Sequence, residues 1–245
     1  MINLENKKVI ITGAAAGIGR ATAVKCVEHG ADVLVIDINE NGLVKLQKEL
    51  GEDKVKIFNF DISDLGKIKD FFVQLRKDDI KIDCLVNNAG IYLGKSVLDY
   101  SDEDIAKVMA INLIAPIYFS KEFARDKMNG KKQGVIVNIA SVSGEAGTSE
   151  SVYGATKGGL LGLTKSNAID FSPYVRVNAV APSVTKTALV KNIPEERLKM
   201  HEKHNLIKEW IEPEDIGNAV LFLLSDVSGH CTGMTLDVNN GRYLR

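Results

Sequence analysis

KVIITGAAAGIG, residues 8–19, sets the reading of the whole chain. KVIITG is a short apolar run closed by glycine, the mark of a buried strand, and the residues that follow, to about His29, read as a helix. Gly13, Gly17 and Gly19 therefore fall at a strand-to-helix junction. Lacking Cβ atoms, they let backbone approach a pyrophosphate, which the positive end of a helix attracts. Ala16 and Ile18 complete the loop. The spacing is G-x3-G-x-G, so the general dinucleotide pattern is only half met. A tight turn without a ligand would use the same glycines. Asp37 weighs against that reading. It ends the second apolar run, eighteen residues past Gly19, where a carboxylate can accept both ribose hydroxyls of an adenosine. A 2′-phosphate would be repelled there, and the next residues, Ile38 and Asn39, are not basic. NAD is expected over NADP. The plainer role for Asp37, a helix N-cap, would not need the upstream glycines.

Outward from this stretch, short apolar runs alternate with longer amphipathic ones. Strands are expected at 8–13, 31–37, 54–61, 81–90, 133–141, 173–183 and 234–239. Helices are expected to about His29, to about Leu50, to about Arg76, over 101–129 and from about Val152 to Phe171. Strands apolar on both sides, each followed by a helix, imply an α/β fold with a parallel sheet covered on both faces. Right-handed crossovers make that sheet doubly wound. No linker, repeat or low-complexity stretch interrupts it, so one domain over 1–245 is expected. The span 186–212 breaks the rhythm: it is charged, contains Pro194, runs up to Pro213 and reads as a helical lid over the site.

Composition narrows the class. Hydrophobic residues make up 45% and charged residues 26%, ordinary for a soluble globular protein, and the net charge is −1 with no long block of one sign. Nothing argues for nucleic acid or an anionic membrane. The N-terminal MINLENKKVIITG lacks the apolar core of a signal peptide, and no run approaches the ~20 apolar residues that span a bilayer. A cytoplasmic enzyme is the expectation. Cys26, Cys84 and Cys231 have no metal-ligand or C-x-x-C spacing, and the first two sit in apolar runs as small core residues. His201 and His204 are three apart but have no third ligand nearby, so no metal site is expected.

In SVYGATKGGLLGLTKS, Tyr153 and Lys157 are four residues apart, on one face of a helix. An ammonium beside a phenol favours the phenolate. Lowering a tyrosine from ~10 into the neutral range takes roughly 4 kcal/mol of fixed positive charge. The expectation is a tyrosine that exchanges a proton with an alcohol at neutral pH.

Together these residues resemble the short-chain dehydrogenase/reductase family. TGAAAGIG looks like its cofactor loop, and Asp61, the NNAG run ending at Gly90, Asn112, Ser141, Tyr153 with Lys157 and the VRVNAVAP run follow in the family's order, to the C-terminal TGMTLDVNNG. The resemblance implies a Rossmann-type sheet of seven strands, a nicotinamide cofactor and a homotetramer. By the same resemblance Tyr153 is the general acid/base. Lys157 lowers its pKa and holds the nicotinamide ribose. Ser141 fixes the substrate oxygen, with Ser143 as its rival. Asn112 holds a water in a proton relay behind the lysine. Asp61 and Ile62 meet the adenine. Asn88, Ala89 and Gly90 run along the cofactor, and Pro182, Ser183, Val184, Thr185 and Thr187 hold the nicotinamide carboxamide and the phosphates. A buried tie between two helices would use Asn112 in the same way, and a strand-end turn would use NNAG.

The chain departs from the family at four places. Ser141 precedes Tyr153 by twelve residues where thirteen is usual. Ser183 stands where glycine usually follows the proline, which should narrow the space near the nicotinamide or add a hydrogen bond. Lys208 and Glu209 replace a frequent Gly-Arg before Trp210, and DVNNG differs from the frequent ending by one glycine. Gly154, Gly158 and Gly162 recur every four residues in one helix, at ~1 kcal/mol each against alanine. Close approach of a neighbouring subunit's backbone is the expected compensation, with the 101–129 helix as a second contact.

The leading expectation is an NAD-dependent oxidoreductase that moves a hydride between a secondary alcohol or ketone and the nicotinamide. A 3-oxoacyl-acyl-carrier-protein reductase is the alternative within enzymes, supported by TLDVNNGRY and opposed by Asp37. A nucleotide-binding regulator that lost catalysis is the alternative from another class. Pocket walls are expected at 90–95, 143–152 and 188–210, mixing Ile91, Tyr92, Leu93 and Trp210 with Lys95, Glu145 and Glu150. No small-molecule substrate class is singled out by that mixture.

Overall fold

The computed structural model describes residues 2–193 and 195–244, without the side chains of Arg197 and His201. Pro194 and the pairing of His201 with His204 thus lie outside the described residues. Seven strands form one parallel sheet: β1 (Lys8–Thr12), β2 (Asp32–Asp37), β3 (Val55–Asn59), β4 (Cys84–Asn87), β5 (Gly134–Ile139), β6 (Val175–Pro182) and β7 (Thr235–Val238). Their order is β3-β2-β1-β4-β5-β6-β7, the doubly wound arrangement the alternating runs imply. The chain reverses direction between β1 and β4, which opens a crevice at the carboxyl ends of those strands.

Period-two alternation assigns the strand residues to two cores. Val9, Ile11, Val33, Val35, Val86 and Val137 point to one face. There they meet α1 (Gly17–Glu28), α2 (Glu40–Leu50) and α8 (Pro213–Leu224) through residues such as Ala23, Leu46 and Val220. Ile10, Leu34, Ile36, Leu85 and Ile136 point to the other. That face packs against α3 (Leu65–Lys77) and α5 (Ala115–Gly130) through Phe71, Phe72, Phe119 and Phe123. Each fully buried aliphatic or aromatic side chain contributes ~1.5–3 kcal/mol, so the strands are fixed from both sides. Cys26 and Cys84 are buried in this packing, and desolvation pushes both thiols up, Cys84 to about 12. They are core residues, as their apolar surroundings imply.

Two helical features depart from the expected pattern. The 101–129 stretch is not one regular helix: α4 (Asp102–Met109) passes through a π-helical turn at Ala110–Ile114 into α5. The final helix α8 has no counterpart among the expected elements. Its signal stood in the sequence, with Pro213 at the first turn and the Glu212 amide donating to Asp215 Oδ2 at 2.9 Å. Gly217 lets α8 settle on α1, since a Cβ there would stand 3.3 Å from the Ala21 backbone.

Over 186–212 the chain forms a 3₁₀ turn (Ala188–Asn192) and α7 (Glu195–His204). Lys208 ends this excursion by donating to the carbonyls of Lys203 and Asn205 at 3.2 and 2.6 Å. The base is tied to the last strand's exit, where the Leu206 amide donates to the Asn240 carbonyl at 2.8 Å and Asn240 Nδ2 donates to Glu209 at 2.7 Å. Asn240 adopts a left-handed φ of 56°, a conformation that favours glycine and tolerates asparagine.

Candidate functional site

The crevice at the strand ends is a cavity of about 920 Å³, at the upper end of the ~300–1,000 Å³ typical of small-molecule sites. The end that holds the glycine loop is built from β1 and α1. Gly13 and Gly17 both take positive φ. A Cβ on Gly19 would stand 2.2 Å from the Gly13 carbonyl, so that position has no room for a side chain. Helices α2, α3 and α4 are capped by the side chains of Asn39, Asp64 and Ser101, whereas α1 begins at Ala16 with no side-chain cap. Its first amides have no partner within the helix, which leaves them to an anion at the cavity wall.

Asp37 sits at the end of β2 on the same wall. Its carboxylate accepts from the Ala15 amide at 3.0 Å and the Asn39 amide at 2.9 Å. It therefore orients the glycine loop, while the N-cap of α2 falls to Asn39. Ile38 stands at the mouth, 71% exposed. Asp61 and Ile62 follow β3 and border the cavity, Asp61 exposed with the Ser63 amide on its Oδ1 at 2.8 Å.

The floor is sewn together by Thr12, a residue the sequence reading passed over. Its hydroxyl accepts from the amides of Asn88 and Ala89, both at 3.0 Å. Asn88 Nδ2 donates back to the carbonyls of Thr12 and Gly13 at 2.9 and 3.1 Å. Behind the floor, buried Asn87 donates to Asn138, and Asn138 to Thr164 of α6 (Ser151–Asp170). These buried bonds fix α6 against β5, while Asn87 Oδ1 finds no partner among the described residues.

Helix α6 brings Tyr153 and Lys157 to the cavity, as their spacing requires. Ser141, at the end of β5, hydrogen-bonds the Tyr153 phenol and accepts from the Ser143 amide at 3.1 Å. Ser141 and not Ser143 is the tyrosine's partner. Lys157 Nζ donates to the Ile139 carbonyl at 2.7 Å and lies 5.7 Å from the centre of the Tyr153 ring. The expected depression of the tyrosine pKa is not found. Burial pushes the Tyr153 phenol up to about 12, opposed by the Ser141 hydrogen bond. The same burial pushes Lys157 down to about 8. Desolvation is the leading cause at both groups.

Asn112 lies behind this wall and does not border the cavity. On the π turn, its Oδ1 accepts from the Ile91 amide at 2.8 Å, and its Nδ2 donates to the Ile91 carbonyl at 2.9 Å and to Thr156 at 3.4 Å. It does tie two elements. Gly19 is likewise behind the wall, whereas Ala16, Ile18, Gly90, Pro182, Val184, Thr185 and Thr187 all border it. Thr187 faces Gly17, with its Cγ2 3.1 Å from where a Cβ would stand. Ser183 also borders the cavity; its Oγ is buried and finds no hydrogen-bond partner among the described residues. The side chain where glycine was expected thus brings an unused hydroxyl.

On the substrate side, Tyr92 packs against Tyr153, and its hydroxyl donates to Glu150, which also accepts from Thr148 Oγ1 at 3.1 Å. Four expected wall residues lie elsewhere, Glu145 among them. Lys95 pairs with Asp104 at 2.6 Å, and neither Leu93 nor Trp210 borders the cavity. Ala188, Leu189, Val190, Ile193 and Met200 do border it, so the excursion contributes a wall. Asn192 Nδ2 donates to the Tyr92 carbonyl at 3.0 Å and joins the two sides. Two of the three periodic glycines of α6 are explained within the chain and not by a neighbour. A Cβ on Gly154 would meet Thr148 at 2.9 Å, and one on Gly158 would meet the Gly144 carbonyl at 3.3 Å. Gly162 opens onto free space.

Comparison with known proteins places this geometry. A family model described as enoyl-(acyl carrier protein) reductase matches residues 13–242. An uncharacterized oxidoreductase of Thermotoga maritima is 37% identical, with 98% of each chain covered. A 3-oxoacyl-acyl-carrier-protein reductase FabG of Buchnera aphidicola is 33% identical over 99% of this chain and 100% of that one. A short-chain dehydrogenase/reductase described as glucose/ribitol dehydrogenase, from Brucella melitensis, superposes with a TM-score of 0.92 at 29% identity, covering 100% of this chain and 99% of that one. The chain belongs to the short-chain dehydrogenase/reductase family.

Proposed function

We propose that this short-chain dehydrogenase/reductase is an NAD-dependent enzyme that interconverts a secondary alcohol and its ketone, with Tyr153 as general acid/base. The observation that carries the reading is that the Ser141–Tyr153 pair and Lys157 border the same cavity as the uncapped α1 N-terminus and the Asp37 carboxylate. These residues fit a dinucleotide. The α1 amides would hold its pyrophosphate, Asp37 its adenosine ribose, Asp61 and Ile62 the adenine side, Lys157 the nicotinamide ribose, and 182–187 the nicotinamide end. The bound nicotinamide supplies or accepts the hydride.

This chain's own groups manage the proton. With its phenol pushed up by burial, Tyr153 is a proton donor, the form that ketone reduction uses. Oxidation uses the phenolate, which nearby positive charge favours, Lys157 included. Ser141 holds the substrate oxygen within reach of the phenol, and Asn112 acts in a proton relay behind Lys157. Asp37 supports NAD over NADP by repulsion of a 2′-phosphate. The excursion over 186–212 serves as the lid.

Tyr153→Phe tests the reading. NADH binding, followed by its fluorescence, should persist while turnover drops by the ~10²–10⁴-fold of a lost general acid/base. Unchanged turnover would remove Tyr153 from the mechanism. A second reading, a 3-oxoacyl-acyl-carrier-protein reductase, is supported by relatives of that name at 33–35% identity; NADPH-dependent reduction of such a thioester would establish it. The same proposal includes a cytoplasmic homotetramer, for which exposed Gly162 and Ile169 on α6 offer a contact face. Light scattering showing a monomer at micromolar concentration would end that part.

A further inference from the structure

The last strand delivers to the cavity a cation that neither the dinucleotide nor the proton chemistry employs. Arg242 follows β7 by four residues and borders the cavity. Its backbone is fixed from several sides. The Arg242 amide donates to the Asn239 carbonyl at 2.9 Å, and Asn239, itself buried, donates through Nδ2 to the Tyr243 carbonyl at 3.2 Å. Gly241 takes a φ of 71°, and a Cβ on it would stand 2.6 Å from Leu206, so the turn lies tight against the base of the excursion. The guanidinium carried by this fixed turn is uncommitted: among the described residues it has no hydrogen bond and no ion pair. The other cations on the cavity wall are placed differently, for Lys157 donates to Ile139 and Lys107 projects from α4. A second uncommitted group opens beside the turn. Ser183 leaves β6 where that strand pairs with β7, its amide donating to the Val238 carbonyl at 3.3 Å. Its hydroxyl, on a residue 9% exposed, has no partner among the described residues. A guanidinium fork and a hydroxyl donor at two adjacent strand exits, both without an acceptor among the described residues, ask for an anion.

Resting on the oxidoreductase reading, we propose that Arg242, with the Ser183 hydroxyl beside it, anchors the substrate by a carboxylate carried several carbons from the reacting carbinol. The sheet order sets that spacing. Ser141 leaves β5 and Arg242 leaves β7, two strands further along, which is about 10 Å at ~4.8 Å per strand. An acid with its carboxylate directly on the carbinol carbon falls short of that span, and one with a spacer covers it. Asp37 and Asp61 stand at the exits of β2 and β3, toward the opposite edge of the sheet, so neither opposes a carboxylate at β7. Glu150 belongs to the α6 side, where Tyr92 and Thr148 donate to it. The planar fork of a guanidinium matches a carboxylate through two parallel hydrogen bonds. A phosphate monoester fits the same fork but brings nearly two charges to one free guanidinium.

The experiment offers 5-hydroxyhexanoate, its methyl ester, 4-hydroxypentyl phosphate and lactate, with NAD, to the wild type, Arg242→Met and Arg242→Lys. NADH fluorescence reports that each variant is folded. The wild type should prefer 5-hydroxyhexanoate to its ester in kcat/KM by about tenfold or more, and to lactate by a similar factor. Arg242→Met should erase the acid-to-ester preference, chiefly through KM. Arg242→Lys keeps the charge but loses the fork, and should retain part of the preference. A preference that survives Arg242→Met would overturn the proposal and leave Arg242 as a solvated side chain. A wild-type preference for the phosphate over the hexanoate would overturn the carboxylate assignment, and one for lactate would overturn the spacing. Calorimetry of 5-hydroxyhexanoate with the NADH-loaded protein separates the two levels. Binding that depends on Arg242, with no alcohol turned over, would retain the anchor and sink the oxidoreductase reading. Turnover of acid and ester at equal kcat/KM would do the reverse, and neither binding nor turnover would sink both.

Discussion

Tyr92 and Tyr153 meet edge to face, with ring centroids 5.1 Å apart and planes at 80°. Such a contact is worth ~0.5–1.5 kcal/mol beyond the area it buries. It braces from the side a ring whose hydroxyl already bonds Ser141. Tyr92→Phe keeps the ring contact and loses the hydroxyl's bond to Glu150. Tyr92→Ala loses both. Steady-state kinetics should show Tyr92→Ala about tenfold below Tyr92→Phe in kcat. Equal values for the two variants would mean that the bracing has no part in turnover.

Asp37 does two jobs. It orients the glycine loop through the Ala15 and Asn39 amides and faces the nucleotide end of the cavity. Asp37→Ala should lower kcat/KM for NAD by at least tenfold, since hydrogen bonds to a charged group are worth ~1.5–3 kcal/mol each. The ratio of NAD to NADP efficiency should shrink with it. A wild-type protein that used NADPH ten times more efficiently than NADH would show that the carboxylate does not set cofactor choice.

Lys157 predicts a pH-dependent penalty on stability. Its folded pKa is lowered from 10.5 to about 8, so below pH 8 the buried ammonium costs the fold about 3 kcal/mol. Between pH 8 and 10.5 the unfolded chain binds more protons than the folded one, and this cost is relieved as pH rises. Lys157→Met removes the charge. It also leaves the Ile139 carbonyl short of a donor, at ~1 kcal/mol. Thermal melts should place Lys157→Met above the wild type at pH 7, with the gap closing by pH 10. Tyr153 acts in the opposite sense, losing stability only above pH 10, because its folded pKa is raised to about 12. A gap that stayed constant from pH 7 to 10 would contradict the burial of a charged lysine.

Gly19→Ala tests the loop. The added methyl would fall 2.2 Å from the Gly13 carbonyl and 2.5 Å from Asn88 Nδ2, and a backbone atom cannot swing aside. Overpacking of this kind costs ~1–3 kcal/mol. The urea midpoint should fall accordingly and NADH affinity with it. An unchanged midpoint would show that the loop relaxes freely.

Much of this molecule was legible in its residues, for reasons that differ by position. The strands stood out because they are apolar on both faces, as Val9, Ile10 and Ile11 are. Gly13, Asp37, Tyr153 and Lys157 were found by spacing, since each sits at a strand end or on one helix face, and Ser141 by the family resemblance. Helix α8 was missed because Pro213 was read as the end of the excursion and not as the start of a helix. The π turn holding Asn112 has no residue signature apart from the helices around it. Thr12 depends on contacts between distant segments, which local pattern cannot reveal. The direction of the Tyr153 shift was misjudged because the spacing of Tyr153 and Lys157 said nothing of how deeply both groups are buried.

The stitching of Thr12 to Asn88 and Ala89 has a mechanical consequence. Two strand ends and the loops that leave them behave as a single rigid plate, so the entrance cannot widen from beneath. Admission and escape of anything as long as a dinucleotide must be gated by the opposing side, where Asn192 supplies one latch to Tyr92. How fast that latch lets go would then limit how quickly the protein exchanges what it holds.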